Sequence, residues 1–230
     1  MATTAVRGRI TRANALTNKR ATMGAFLRSG SGRVVVVTVA GPVALRLLVG
    51  DIGWRDLVFA FVVVAMAGPV EWVLHRNVLH APVESFATRR LGLGLGHREH
   101  HLDPPAMRWL MLRGNEMAIF VAILAVFTAA WSLPLAWASG SGLIGPYLTA
   151  FTFTAAAAAH YEWTHLLVHT AYRPRSRYYA RLARNHRRHH YRNEQYWLGV
   201  TTNLGDRLMH TLPANDETVP RSETARTLSA

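Results

Sequence analysis

Ten of the twelve histidines in this 230-residue chain fall into four clusters, and no other residue type is so placed to do chemistry. His75 and His80 close one apolar run, and His97, His100 and His101 stand in HREHH. His165 and His169 follow His160 in HYEWTHLLVH, and His186, His189 and His190 stand in HRRHH. In an α-helix, positions i, i+3 and i+4 share a face. The three rings of HREHH therefore project together, as do those of HRRHH and the pair His165 and His169. His75 and His80 are five apart, roughly 140° around a regular helix, and need a helix end or a π-bulge to converge. Ten imidazoles held charged would repel, and held neutral and buried would need ten partners. Metal ions supply those partners. One ion takes about four to six ligands, so ten imidazoles imply two ions.

Other site chemistries thin out quickly. There is no cysteine, which excludes thiolate metal sites, disulfides and cysteine nucleophiles. The HExxH pattern of zinc proteases is absent. Only one ExxH occurs, Glu162 to His165, where soluble di-iron bundles use two. Imidazole-rich sites with open positions suit iron and dioxygen, although imidazole alone also accepts Zn²⁺, Cu²⁺ or Ni²⁺.

The elements that must position these rings are apolar. Residues 34–49, 57–74, 117–136 and 143–159 carry two charged side chains between them, Arg46 and Glu71. A helix crossing the hydrocarbon needs about 20 apolar residues. The spacing therefore predicts four transmembrane helices, joined as two hairpins by residues 50–56 and 137–142. Of the 26 Lys and Arg, 24 lie in residues 1–33, 76–116 and 161–230, all on the side opposite the hairpin loops. By the positive-inside rule, the termini and the histidine clusters face the cytoplasm of a multi-pass integral membrane protein. A net charge of +13 is then a topology signal with affinity for lipid headgroups, and nucleic acid is not an expected partner. Residues 1–33 read as a basic cytoplasmic N-terminal arm, without the short apolar core and cleavage site of a secretory signal. Residues 34–212 read as the membrane domain and 213–230 as a polar tail.

In this order and spacing the clusters resemble those of the fatty acid hydroxylase superfamily, membrane di-iron enzymes that include sterol desaturases, carotenoid hydroxylases and fatty acid 2-hydroxylases. The resemblance runs from about Glu71 to Leu212. EWVLHRNVLH is similar to the first histidine box, HREHH to the second and HRRHH to the last. GVTTNLGDRLMHTL is most similar to the fatty acid 2-hydroxylase branch. The resemblance implies an all-α fold, with four transmembrane helices under a cytoplasmic helical cap that carries the dimetal site. It implies His75, His80, His97, His100, His101, His165, His169, His186, His189 and His190 as ligands of two iron ions. His160 and His169 remain alternatives for one place, with the helical pairing of 165 and 169 favouring His169. Glu71, one turn before His75, and Asp206, one turn before His210, are expected to support the ligands, with His160 and His210 as further supporting groups.

The implied activity is O₂-dependent hydroxylation of a lipid C–H bond, most simply in a fatty acyl chain drawn from the bilayer. A sterol or carotenoid substrate and desaturation are alternatives within the class. From another class, a membrane metal transporter would place ligands at midplane depth, whereas these histidines lie outside the spans. Electrons are expected from a separate donor protein, and purified protein is expected to carry zinc where iron is displaced. Arg184, Arg187, Arg188 and Arg192 offer that donor, or lipid headgroups, a basic surface.

Overall fold

The computed structural model describes residues 11–112 and 114–228, and the regular secondary structure among them is helical apart from one isolated bridge between Arg12 and Ala106. Helix α1 (Lys19–Arg28) starts where the Asn18 side chain accepts the Ala21 N–H at 2.9 Å. Ser29 then caps α2 (Gly30–Val49) by accepting the Gly32 N–H at 2.8 Å. Helix α3 (Trp54–Leu74) runs without a break into a π-helical turn, His75–Leu79. Three short helices follow, α4 (Phe86–Leu91), α5 (Leu95–Leu102) and α6 (Met107–Leu110). Two long helices, α7 (Gly114–Ala138) and α8 (Ile144–Val168), lead to α9 (Arg177–Tyr191) and α10 (Leu204–Leu208).

Three segments among the described residues are long and apolar enough to cross a membrane: Gly30–Val49, Trp54–Leu79 and Ile119–Ala138. Their outer faces are exposed and apolar, with Leu47 at 65%, Phe61 at 71% and Val126 at 70%. Contiguous apolar surface of that kind needs lipid rather than water. The fourth segment expected to span lies in α8, which falls outside that apolar class. Gly145, Pro146, Thr149, Thr152, Thr154 and His160 lower its hydropathy. The physical reason is position, because α8 packs against α2, α3 and α7 at once and is faced largely by protein. Its run of alanines from 155 to 159 allows that close approach.

Charge inside these helices is compensated. The Arg46 guanidinium donates to both Asp56 oxygens at 3.0 Å and to Thr149 Oγ1 at 3.0 Å, tying α2, α3 and α8 together. Glu162 of α8 accepts from Ser31 of α2 at 2.5 Å, with both groups buried. At membrane depth an unpaired charge would be costly, so such clamps fix how the helices meet.

The terminal segments pack onto the end of this bundle. Residues 1–10 of the expected arm lie outside the described residues. From Ala13 onward, Leu16, Phe26 and Val35 join Leu110, Met111 and Leu166 in one buried cluster. At the other end, the segment expected as a polar tail buries Val219, Ala225 and Leu228. There Arg226 donates to the carbonyls of His101 and Leu102.

Candidate metal centre

The ten clustered histidines meet at one end of α3 and α8, where α5 and α9 lie close to both. They form two groups of five. His75, His80, His97, His101 and His189 make one, and His100, His165, His169, His186 and His190 make the other. Within each group, one ring nitrogen per residue lies within 4.8 Å of the others. Ligands on opposite sides of an ion, at about 2.1 Å each, would stand about 4.2 Å apart, so either group could hold one. The π-helical turn carries His75 round to His80, bringing the two rings to 4.7 Å between centroids. Helices α5 and α9 each serve both groups. His97 and His101 face the first and His100 the second, while His186 and His190 face the second and His189 the first.

The hydrogen-bond pattern fits cations better than an imidazole network. His75 Nδ1 donates to the Leu198 carbonyl at 2.5 Å, His101 Nδ1 to Ala225 at 2.8 Å and His189 Nδ1 to Tyr196 at 2.9 Å. A carbonyl only accepts, so these bonds put the proton on Nδ1 and leave Nε2 a lone pair facing the group. His97 Nε2 lies 3.1 Å from His75 Nε2 and 3.2 Å from that of His80. His186 Nε2 lies 2.9 Å from His169 Nε2 and 3.0 Å from that of His190. One N–H cannot serve two neighbours well. His100, His101, His165 and His189 each keep a buried Nε2 without a hydrogen-bond partner. Protons do not fill the gap, because burial pushes His97, His100, His186, His189 and His190 well below the usual imidazole value, and neighbouring rings push the same way. Burial takes His101 down to about 3, against the raising effect of its bond to Ala225. Neutral, buried, converging lone pairs are what a divalent ion requires.

A model of the fatty acid hydroxylase family matches residues 58–211, more than half of the chain, and that span contains all ten of these histidines. The chain belongs to this family. Membership implies an oxidoreductase, a membrane hydroxylase with a histidine-rich metal site. None of the curated proteins and none of the solved structures matches this fatty acid hydroxylase family member.

The other candidate residues take different places. His169 stands in the second group, whereas His160 is outside both, 3.5 Å from the Tyr178 hydroxyl. Glu71 does not reach His75. It accepts from the backbone N–H of Val200 and Thr201 and from the Thr201 hydroxyl. Asp206 does not pair with His210 either, and accepts from the N–H of Leu198 and Gly199 at 2.8 Å and from the Thr211 hydroxyl at 2.6 Å. His210 is exposed, with φ of +58°. The two carboxylates hold residues 198–201 from opposite ends, and this loop supplies the carbonyl that orients His75. Helix α10, just after the loop, docks closely on α3, where a Cβ at Gly205 would meet the Trp72 Cβ at 2.5 Å. Trp197, fully buried at φ of +54°, turns the chain into the loop in a conformation that costs a bulky residue strain.

Below the histidines a cavity of about 650 Å³ descends between α3, α7 and α8. Val63 and Met66, Leu124 and Phe127, and Ala157 and Ala158 line its length, while His75, His97 and His165 stand at its head with Glu71 and Tyr161. Histidine spacing carries no sign of Tyr161 or of the structural role of Glu162. The Tyr161 hydroxyl is buried without a partner, and its ring lies 5.5 Å from that of His165. An acid so far along an apolar helix was a readable signal for Glu162. The carbonyl partners of His75, His101 and His189 had none, being backbone atoms.

Proposed function

We propose that this chain is a di-iron, O₂-dependent hydroxylase of a lipid acyl chain. The observation that carries the reading is the pairing of two five-histidine groups with an apolar cavity that ends on His75, His97 and His165. The ten histidines would hold two iron ions, one per group, and His160 and His210 none. Two irons bound there would supply the binding and reduction of dioxygen. The balance is one C–H bond, one O₂, two electrons and two protons giving one C–OH bond and one water. The electrons come from a separate donor protein.

The protein's share is placement. Aliphatic walls from α3, α7 and α8 take the alkyl chain and exclude water, so the chain's length in the cavity sets which carbon reaches its head. The carbonyls of Leu198, Tyr196 and Ala225 fix tautomer and ring orientation for three ligands. Helix α8 crosses the membrane as a fourth span, shielded by α2, α3 and α7, with both termini and the histidine-bearing cap on the cytoplasmic side. Apolar exposed faces on the other three helices and the basic cap support that topology.

The test supplies ¹⁸O₂, a reductant and extracted membrane lipid to iron-loaded protein and follows the acyl products by mass. One ¹⁸O in a hydroxylated acyl chain is the expected result. An unlabelled hydroxy product would mean that water is the oxygen source and would overturn the reading. An unlabelled new double bond would make the chain a desaturase.

A further inference from the structure

Helix α9 carries histidine on one face and arginine on the other. His186, His189 and His190 are buried, while Arg181, Arg184 and Arg187 are exposed. The inner face meets the ends of α3 and α8, with ring centroids 4.7 Å apart for His75 and His189 and 5.0 Å for His165 and His186. The outer face is therefore turned away from the ends of the membrane helices. There Arg184, Arg187, Arg188 and Arg192, with Arg221 from the C-terminal segment, surround a pocket of about 290 Å³ beside Tyr191. Arg188 pairs with Asp216, and Arg192 donates to the carbonyls of Val219 and Glu217. Among the described residues, no carboxylate pairs with Arg184, Arg187 or Arg221. Like charges three and four apart on a helix destabilise it, so this stripe is a cost that the fold alone does not offset.

We propose that this arginine pocket docks the acidic surface of a one-electron donor protein. The inference rests on the hydroxylase reading, which needs two electrons from outside for each O₂. A helix with its side chains is about 10–12 Å across, so a donor seated on the outer face of α9 is held one helix width from the histidines on its inner face. Each docking oxidises one donor by one electron, and two dockings complete the reduction that ends in the hydroxyl group and water. Unpaired guanidinium groups suit the carboxylates of such a partner and steer its approach. Lipid phosphate is the weaker match, because the pocket opens away from the membrane helices.

The experiment uses the full-length iron-loaded protein and an Arg184→Glu/Arg221→Glu variant, with an acidic plant-type ferredoxin and, separately, dithionite as reductants. The reversals are expected to raise the KM for ferredoxin about tenfold or more and to flatten its dependence on salt. Dithionite-driven turnover and iron content are expected to stay at the wild-type level, since neither arginine touches a histidine group. An unchanged KM would overturn the proposal. So would loss of binding to phosphatidylserine vesicles with ferredoxin kinetics intact, which would assign the pocket to headgroups. If the wild-type chain makes no hydroxylated product with dithionite, the hydroxylase reading fails instead. Direct titration of ferredoxin then still tests the docking, and absence of binding by the wild-type chain overturns it.

Discussion

At the scale of single residues, the partition of the histidines is the feature with most consequence. Because His97 and His101 serve one group and His165 and His190 the other, losing any one ring should empty or loosen its own group and leave the second intact. His97→Ala and His165→Ala are each expected to take fully loaded protein from about two ions per chain to about one, with turnover abolished in both, as metal analysis and product assay will show. His160→Ala is expected to retain two ions and measurable turnover, since its ring stands apart beside Tyr178. A dead His160→Ala beside a live His169→Ala would reverse the assignment. The spacing of the boxes singled out these residues and the need for a helix end or a π-bulge between His75 and His80, of which the fold uses a π-helical turn. It did not give the partners of Glu71 and Asp206, because helical proximity to a histidine says nothing about backbone N–H groups that compete for the same carboxylate. Those groups belong to a loop more than a hundred residues on for Glu71 and lie seven or eight residues back for Asp206.

At the scale of elements, α8 ties the histidine cap to the cavity. Its upper end provides His165 and His169, and about two turns below His165, Ala157 and Ala158 line the cavity wall. A large side chain there fills space that an acyl chain would use. Ala158→Phe is expected to leave two ions per chain and to cut turnover on long-chain lipid by tenfold or more, a loss of about 1.4 kcal/mol or greater in transition-state stabilisation. Shorter chains are expected to lose less. Metal loss in this variant would show that the wall and the histidine groups are mechanically coupled. Composition made the existence of α8 plain and its environment less so. The hydropathy of an Ala- and Thr-rich helix does not record that three other helices pack on it.

At the scale of the whole molecule, buried uncharged histidines make folding and metal retention depend on pH. Rings held below an unfolded value of about 6.5 bind fewer protons folded than unfolded, so stability is full above about pH 6.5 and declines as pH falls toward the folded values. Each ring that stays neutral contributes a slope of about 1.4 kcal/mol per pH unit in that window. Metal-stripped protein is therefore expected to lose thermal stability steeply between about pH 6.5 and 5. Loaded protein is expected to release its ions over the same range as protons compete for Nε2, followed by metal analysis after dialysis. A Tm independent of pH in stripped protein would mean that the rings are solvated rather than packed.

The sequence by itself determined which histidines gather into the candidate centre and that they meet at one end of the helices. Those properties follow from local spacing and from the asymmetry of charge around apolar runs, which are one-dimensional. Only the tertiary structure decided that ten rings divide five and five, with α5 and α9 each split between the groups. Helical spacing says which rings share a face, but the ring that each one meets depends on how α5 and α9 are laid over the ends of α3 and α8. The same holds at the chain ends. Residues 213–228 look like solvated tail because they are polar, yet Ala225 hands its carbonyl to His101 and Arg226 holds the backbone of that residue. A backbone acceptor has no signature in sequence, so the segment that completes the centre was the one that composition described least.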